Sequence, residues 1–150
     1  MASMQLKRSS MVTTTASQAG FHKHSPREIL RRRTEAYVRD YYNTYFNSPD
    51  DLIYSYKDDA SITTNCQDVD KSKLGSRLTT AKVNPTKFEI KALNAVPVDR
   101  DDYVGDAIVT VVGNVAGGGS SYLCNQVLHL TPDRASGDYK IVDDMLLQFA

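Results

Sequence analysis

An apolar stripe at helical spacing runs through Thr34 to Tyr56, TEAYVRDYYNTYFNSPDDLIYSY, and this stretch holds seven of the thirteen Tyr and Phe residues of the 150-residue chain. Tyr37, Tyr41 and Tyr45 fall at i, i+4 and i+8, and Val38, Tyr42 and Phe46 repeat the spacing one position on. Together they form a broad band along one face of a helix. A band that wide has to be covered, and only a curved surface can cover it. The tyrosines read as core residues whose hydroxyls reach a rim or a polar partner, in preference to a catalytic tyrosine.

Start and stop signals frame the stripe. Ser25-Pro26-Arg27-Glu28 is a capping box with proline at the first helical position, so the helix is expected to begin near Pro26. Ser48-Pro49-Asp50-Asp51 repeats the device, with Ser48 as cap and two carboxylates in the first turn. The first helix therefore ends near Asn47, and a short second one carries Leu52, Ile53 and Tyr56 on its apolar side.

The length suits one domain with a core of its own. Charge is zero overall but uneven: residues 1–33 hold seven Lys or Arg against one acid, and residues 34–150 hold eleven against seventeen. Residues 1–25, rich in Ser, Thr and Ala, are expected to be a disordered basic leader ahead of a folded unit over 26–150. A mitochondrial transit peptide is the alternative reading of that leader. Arg31-Arg32-Arg33 reads as a solvated helix face before an import signal or a nucleic-acid contact. His22 and His24 make too weak a pair for a metal site. Cys66 and Cys124 are far apart with no CxxC, which fits a reduced cytosolic or nuclear protein without structural zinc. No run approaches the roughly 18 apolar residues of a membrane span, so no membrane partner is expected, and no metal or cofactor either.

Beyond the helices the period changes. Ser61–Thr64 reads as a short strand, 65–70 as a polar loop and 71–79 as a short third helix. From Lys87 the pattern alternates: Phe88, Ile90 and Ala92 share one parity, then Leu93, Ala95 and Pro97 take the other, a slip that predicts a β-bulge near Ala92-Leu93. Further strands are expected over 103–115, 122–130 and 139–149, with Gly117-Gly118-Gly119 as a hairpin tip; strands on both sides and no following lysine argue against a phosphate loop. Helices first and hairpin strands afterwards mean an α+β fold, with N-terminal helices packed in a strongly bent antiparallel sheet.

Several separated elements, in order, resemble the nuclear transport factor 2-like family. They are Tyr37-Val38-x-x-Tyr41-Tyr42 with Leu52, Tyr56 and Ser61; Gly113 in VTVVGNV; Asn125-Gln126-Val127-Leu128-His129-Leu130; and Ile141-Val142-Asp143-Asp144-Met145-Leu146. The resemblance covers roughly residues 30 to 150 and implies a cone, a bent sheet wrapped on a long helix. It is closest to the small subunit of the mRNA export receptor heterodimer. That implies a non-enzymatic transport adaptor of nucleus, cytoplasm and nuclear pore, which pairs with a larger receptor subunit of similar fold, supports nucleoporin Phe-Gly repeat binding and touches mRNA indirectly. A homodimeric import-type carrier of the GTPase Ran in its GDP form is the alternative. The carboxylates that such carriers place around their pocket are replaced here by Thr64-Asn65 and Gly117-Gly118-Gly119, which argues against Ran binding by that mode. The export branch has an arginine where Leu147 stands here.

The residues add their own argument for pairing. Ala107, Val109 and Val111 point one way and Ile108 and Val112 the other, while Met145 and Leu147 oppose Leu146. Both faces of the sheet are apolar, and only one can cover the helix. Tyr103, Val109, Val111, Tyr122, Cys124, Met145 and Leu147 are the expected partner surface. An isomerase or dehydratase is the third reading, its candidates being Tyr41, Tyr54, His129 and Asp143 with Asp40 behind them, His129 and Asp143 serving as a base and its orienter. No catalytic residue is assigned.

Overall fold

In the computed structural model, which describes residues 25–150, helix α1 spans Pro26–Asn47. The leader, with His22 and His24, lies outside the described residues. Ser25 caps the helix as its sequence asks, its hydroxyl accepting from the Glu28 N–H at 3.2 Å. Ser48 differs: it makes no side-chain cap, and its N–H instead donates to the Thr44 carbonyl to close α1. Pro49–Ser55 follows as a 3-10 helix.

Six strands come next, β1 (Tyr56–Thr64), β2 (Gln67–Asp68), β3 (Lys87–Pro97), β4 (Ala107–Gly117), β5 (Ser120–Asp133) and β6 (Asp138–Phe149). They lie in the order β2-β1-β6-β5-β4-β3, a curved sheet that does not close into a barrel. Most neighbours are antiparallel, as expected, but β1 pairs with β6 in parallel. The expected short strand at Ser61 is longer because Tyr56 leaves the helix and opens β1, with extended backbone at φ −110° and ψ 147°. The 65–70 loop holds the two-residue strand β2, joined to β1 by Asn65 and Cys66, both at positive φ (52° and 67°), a tight hairpin turn. Residues 71–76 form a 3-10 helix.

Bulges bend the sheet at Ile90/Ala92, at His129/Leu130 and between Tyr56 and Ser61. The first lies beside the expected slip, a residue or two earlier. β4 starts at Ala107, after the expected Tyr103, because residues 98–106 turn the chain. Gly118 and Gly119, both at positive φ, form the hairpin tip.

The helix stripe fills the concave side. Val38 and Leu30 are buried with all four helix tyrosines, against Val109, Val111, Cys124, Leu128, Ile141 and Leu146 from the sheet. Gly113 is required by close approach: the Phe88 ring lies over it and stacks on Tyr42 with centroids 3.6 Å apart and planes at 6°. A Cβ there would collide with Phe88, so Gly113→Ala is expected to cost about 1–3 kcal/mol by overpacking, read as a lower urea midpoint with an unchanged slope.

Candidate functional site

Asp144 sits at the centre of the cone. The alternation that turns Leu146 inward also turns Asp144 inward, two positions earlier on β6, and its side chain is fully buried. Both oxygens are engaged. Oδ2 accepts from the Tyr56 hydroxyl at 2.6 Å and from Arg77 Nη1 at 2.7 Å, and Oδ1 accepts from Gln126 Nε2 at 2.9 Å. Arg77 enters from the end of the 71–76 helix, its other donors held by the Thr64 hydroxyl at 2.9 Å and the Thr63 carbonyl at 2.7 Å. On the helix side, Tyr42 donates to Gln126 Oε1 at 2.5 Å, and the Tyr41 hydroxyl donates to the Tyr56 oxygen at 2.5 Å, the Tyr56 O–H being given to Asp144. Tyr45 accepts from the Leu78 N–H, and Tyr122 donates to the Leu78 carbonyl. The sequence reading of these rings, apolar body in the core and hydroxyl on a partner, holds for the four helix tyrosines.

The electrostatics follow from burial. Burial pushes the Tyr41, Tyr42 and Tyr56 phenols above the usual tyrosine range, and the Asp144 carboxylate adds to it. Burial alone would lower Arg77, but Asp144 more than offsets it and keeps the guanidinium charged. A carboxylate whose lone pairs are taken by a cation, a phenol and an amide is a poor general base, and it is 1 % exposed. The clefts along α1, one of about 420 Å³ lined by Arg39, Phe46 and Phe88 and one of about 230 Å³ lined by Tyr37, Asp40 and Tyr54, are not lined by Asp144 or Gln126.

The sequence-derived catalytic candidates divide between two places. Tyr41, Tyr54 and Asp40 line the smaller cleft on α1, where the Tyr41 hydroxyl is held in the buried network while Tyr54, 71 % exposed, and Asp40 face solvent. His129 and Asp143 do meet, as a cross-strand pair, but on the convex face of the sheet. There the imidazole Nε2 lies 2.9 Å from Asp106 Oδ2, and its Nδ1 lies 3.7 Å from Asp143 Oδ2. The arginine triplet is occupied: Arg31 pairs with Glu28 and Glu35, Arg32 with Glu28, and Arg33 lies 4.6 Å above the Tyr139 ring.

The expected partner surface divides between two faces. Val109, Val111 and Cys124 are fully buried on the concave side, Tyr122 is buried with them, and Tyr103 packs half-buried against the same core. These five are therefore corrected to core positions: strand parity places Val109, Val111, Tyr122 and Cys124 toward α1, and Tyr103 packs on the same core from the turn before β4. Met145 and Leu147 are on the convex face, 48 % and 37 % exposed, with Leu123 and Phe149 beside them at 48 % and 61 %. Leu123 and Phe149 pair across β5 and β6 and were legible from the same alternation. Arg77 had no local signal, since only the folded chain brings it to Asp144.

The two cysteines separate cleanly. Cys66 is exposed, whereas burial pushes the Cys124 thiol up to about 11. Alkylation of the native protein at pH 8 is expected to modify Cys66 and to reach Cys124 only on unfolding; rapid modification of both would contradict the packing of β5 on α1.

Residues 34–148 match the model of the nuclear transport factor 2 (NTF2) domain. Among curated proteins none matches significantly. Solved structures share the fold at low identity. The yeast UBP3-associated protein BRE5 superposes with a TM-score of 0.61 at 14 % identity, over 79 % of this chain and 95 % of that one. Mtr2 of Candida albicans gives 0.58 at 10 %, over 81 % and 96 %. A ketosteroid isomerase-like protein from Erwinia carotovora atroseptica gives 0.55 at 16 %, over 80 % and 96 %.

Proposed function

This chain belongs to the nuclear transport factor 2 domain family, and from that premise we propose that it is a non-enzymatic pairing subunit that works through the convex face of its sheet. The family's fold is shared by binding proteins and isomerase-like proteins alike, so the choice rests on the site. One observation carries it. The inside of the cone is filled by a satisfied ion-pair network, while the outside exposes Leu123, Met145, Leu147 and Phe149 side by side on β5 and β6. A contiguous apolar patch on a sheet face marks an interaction surface. The assembly we favour is a heterodimer with a larger mRNA export receptor subunit of similar fold. In it the small subunit supports nucleoporin Phe-Gly repeat binding, and the complex moves between nucleus, nuclear pore and cytoplasm. BRE5, a neighbour in fold, is by name an associated protein of another chain, which is the kind of role proposed.

The test is pairing itself. Met145→Arg and Leu147→Arg, each placing a charge in the centre of the patch, are expected to weaken binding to the partner by at least about 2 kcal/mol, measured by co-purification with a co-expressed receptor subunit, while the far-UV spectrum stays unchanged. Full binding by both variants would refute the convex face as the docking surface. Turnover of a steroid or small hydroxy substrate that is lost in Asp40→Asn, a substitution in the exposed cleft on α1, with the far-UV spectrum unchanged, would favour the isomerase reading instead.

A further inference from the structure

The convex face has a charge pattern as well as an apolar patch. His129 stands between two carboxylates, Asp106 at 2.9 Å and Asp143 at 3.7 Å, and the Thr131 hydroxyl donates to the second Asp106 oxygen at 2.7 Å. A single imidazole cannot answer both acids: neutral, it leaves two negative charges, and protonated it leaves one. Asp143 lies two positions before Met145 on β6, and His129 two after Val127 on the adjoining β5, so the acids border the apolar patch on its own face. The remaining outward positions of β4 and β5 near the patch, Ile108, Thr110, Val112, Asn114 and Asn125 among them, include no Lys or Arg. Beyond β4, the edge strand β3 carries Lys87 and Lys91, the latter 3.6 Å from Glu89, and two further cations lie toward the β1 side. Lys57 helps to lower Asp106 from a distance, after Thr131 and His129, and the Lys140 ammonium is taken by the Tyr54 carbonyl at 2.6 Å.

Covering this face desolvates the acids. A second copy laid patch to patch would set them against the apolar centre and the outward positions of β4 and β5, which carry no Lys or Arg, and an uncompensated buried charge is costly. A surface with Lys or Arg at that place would turn the same acids into a point of recognition. Resting on the pairing reading above, we propose that Asp106 and Asp143 select a different chain, one whose docking surface is apolar at its centre and presents Lys or Arg to these two carboxylates, and that they disfavour self-pairing.

Sedimentation equilibrium of the full chain tests this without the natural partner. The wild type is expected to self-associate weakly, and the Asp106→Asn, Asp143→Asn double variant to do so at least about ten-fold more tightly. Copies carrying Thr110→Lys, Asn114→Lys or Asn125→Lys serve as basic stand-ins for the partner. At least one is expected to form a mixed one-to-one complex with the wild type that is tighter than either chain alone, weakens with salt, and is lost when the wild type is replaced by the double Asn variant. A tight wild-type dimer that the Asn substitutions leave unchanged, or no mixed complex with any of the three, would overturn the proposal. Met145→Arg separates the two levels: if it splits such a dimer, pairing through this face stands and only the charge selection falls, and if it does not, both fall.

Discussion

Arg77→Leu is expected to destabilise the fold by about 3–5 kcal/mol, because it removes the cation that pairs with a fully buried carboxylate. Arg77 Nη1 lies 2.7 Å from Asp144 Oδ2, with side chains 4 % and 0 % exposed. The donors that remain on Asp144, from Tyr56 and Gln126, are neutral and cannot balance its charge. The same substitution frees the Thr63 carbonyl and the Thr64 hydroxyl, so the site loses hydrogen bonds along with the ion pair. Against a total stability of some 5–15 kcal/mol, that is a large share, and a shifted urea transition reads it directly. Removing both partners differs from removing one. Arg77→Leu with Asp144→Leu should recover much of the loss, since an apolar pair in place of a buried ion pair is close to neutral, and the difference gives the coupling between them. A loss below about 1 kcal/mol for Arg77→Leu would show that the network does not organise the cone.

How much of this was legible in the sequence depends on the range of the interaction that decides each point. α1 was readable to its ends because caps and stripe are local: Ser25, Pro26 and the 3.6-residue period act within a few turns. The strand interiors and the hairpin tip at Gly118-Gly119 were readable for the same reason. Tyr56 was misplaced on a helix because its spacing from Leu52 and Ile53 fits a helix as well as it fits the start of β1, and only the parallel pairing with Ile141 decides it. That pairing joins positions far apart in the chain, and no local pattern announces it. Asp144 is the intermediate case: the parity of β6 put it on the same face as Leu146, but the doublet with Asp143 and the apolar character of both faces left open that this face is the inner one. Arg77 was beyond reach, because its role exists only once the 71–76 helix, β1 and β6 have met.

Parity also told which residues share a face but not which face is inside, since both are apolar, and a pair of arginine substitutions turns that ambiguity into opposite outcomes. Val109→Arg is expected to prevent folding, with a loss above about 4–5 kcal/mol. Val109 is 0 % exposed on β4, it is packed in the core with α1, and the nearest carboxylate network at Asp144 is already matched by Arg77. An unpaired guanidinium has nowhere to go. Met145→Arg should change the stability of the isolated chain by no more than about 0.5 kcal/mol, because the side chain stands 48 % exposed on the convex face and a long charged residue can extend into water from there. Its effect is reserved for the partner. Thermal unfolding of the two variants beside the wild type is therefore a test of orientation as well as of stability. A folded Val109→Arg protein with wild-type stability would mean that β4 presents the opposite face to α1, and the convex surface built from Leu123, Met145, Leu147 and Phe149 would fall with it.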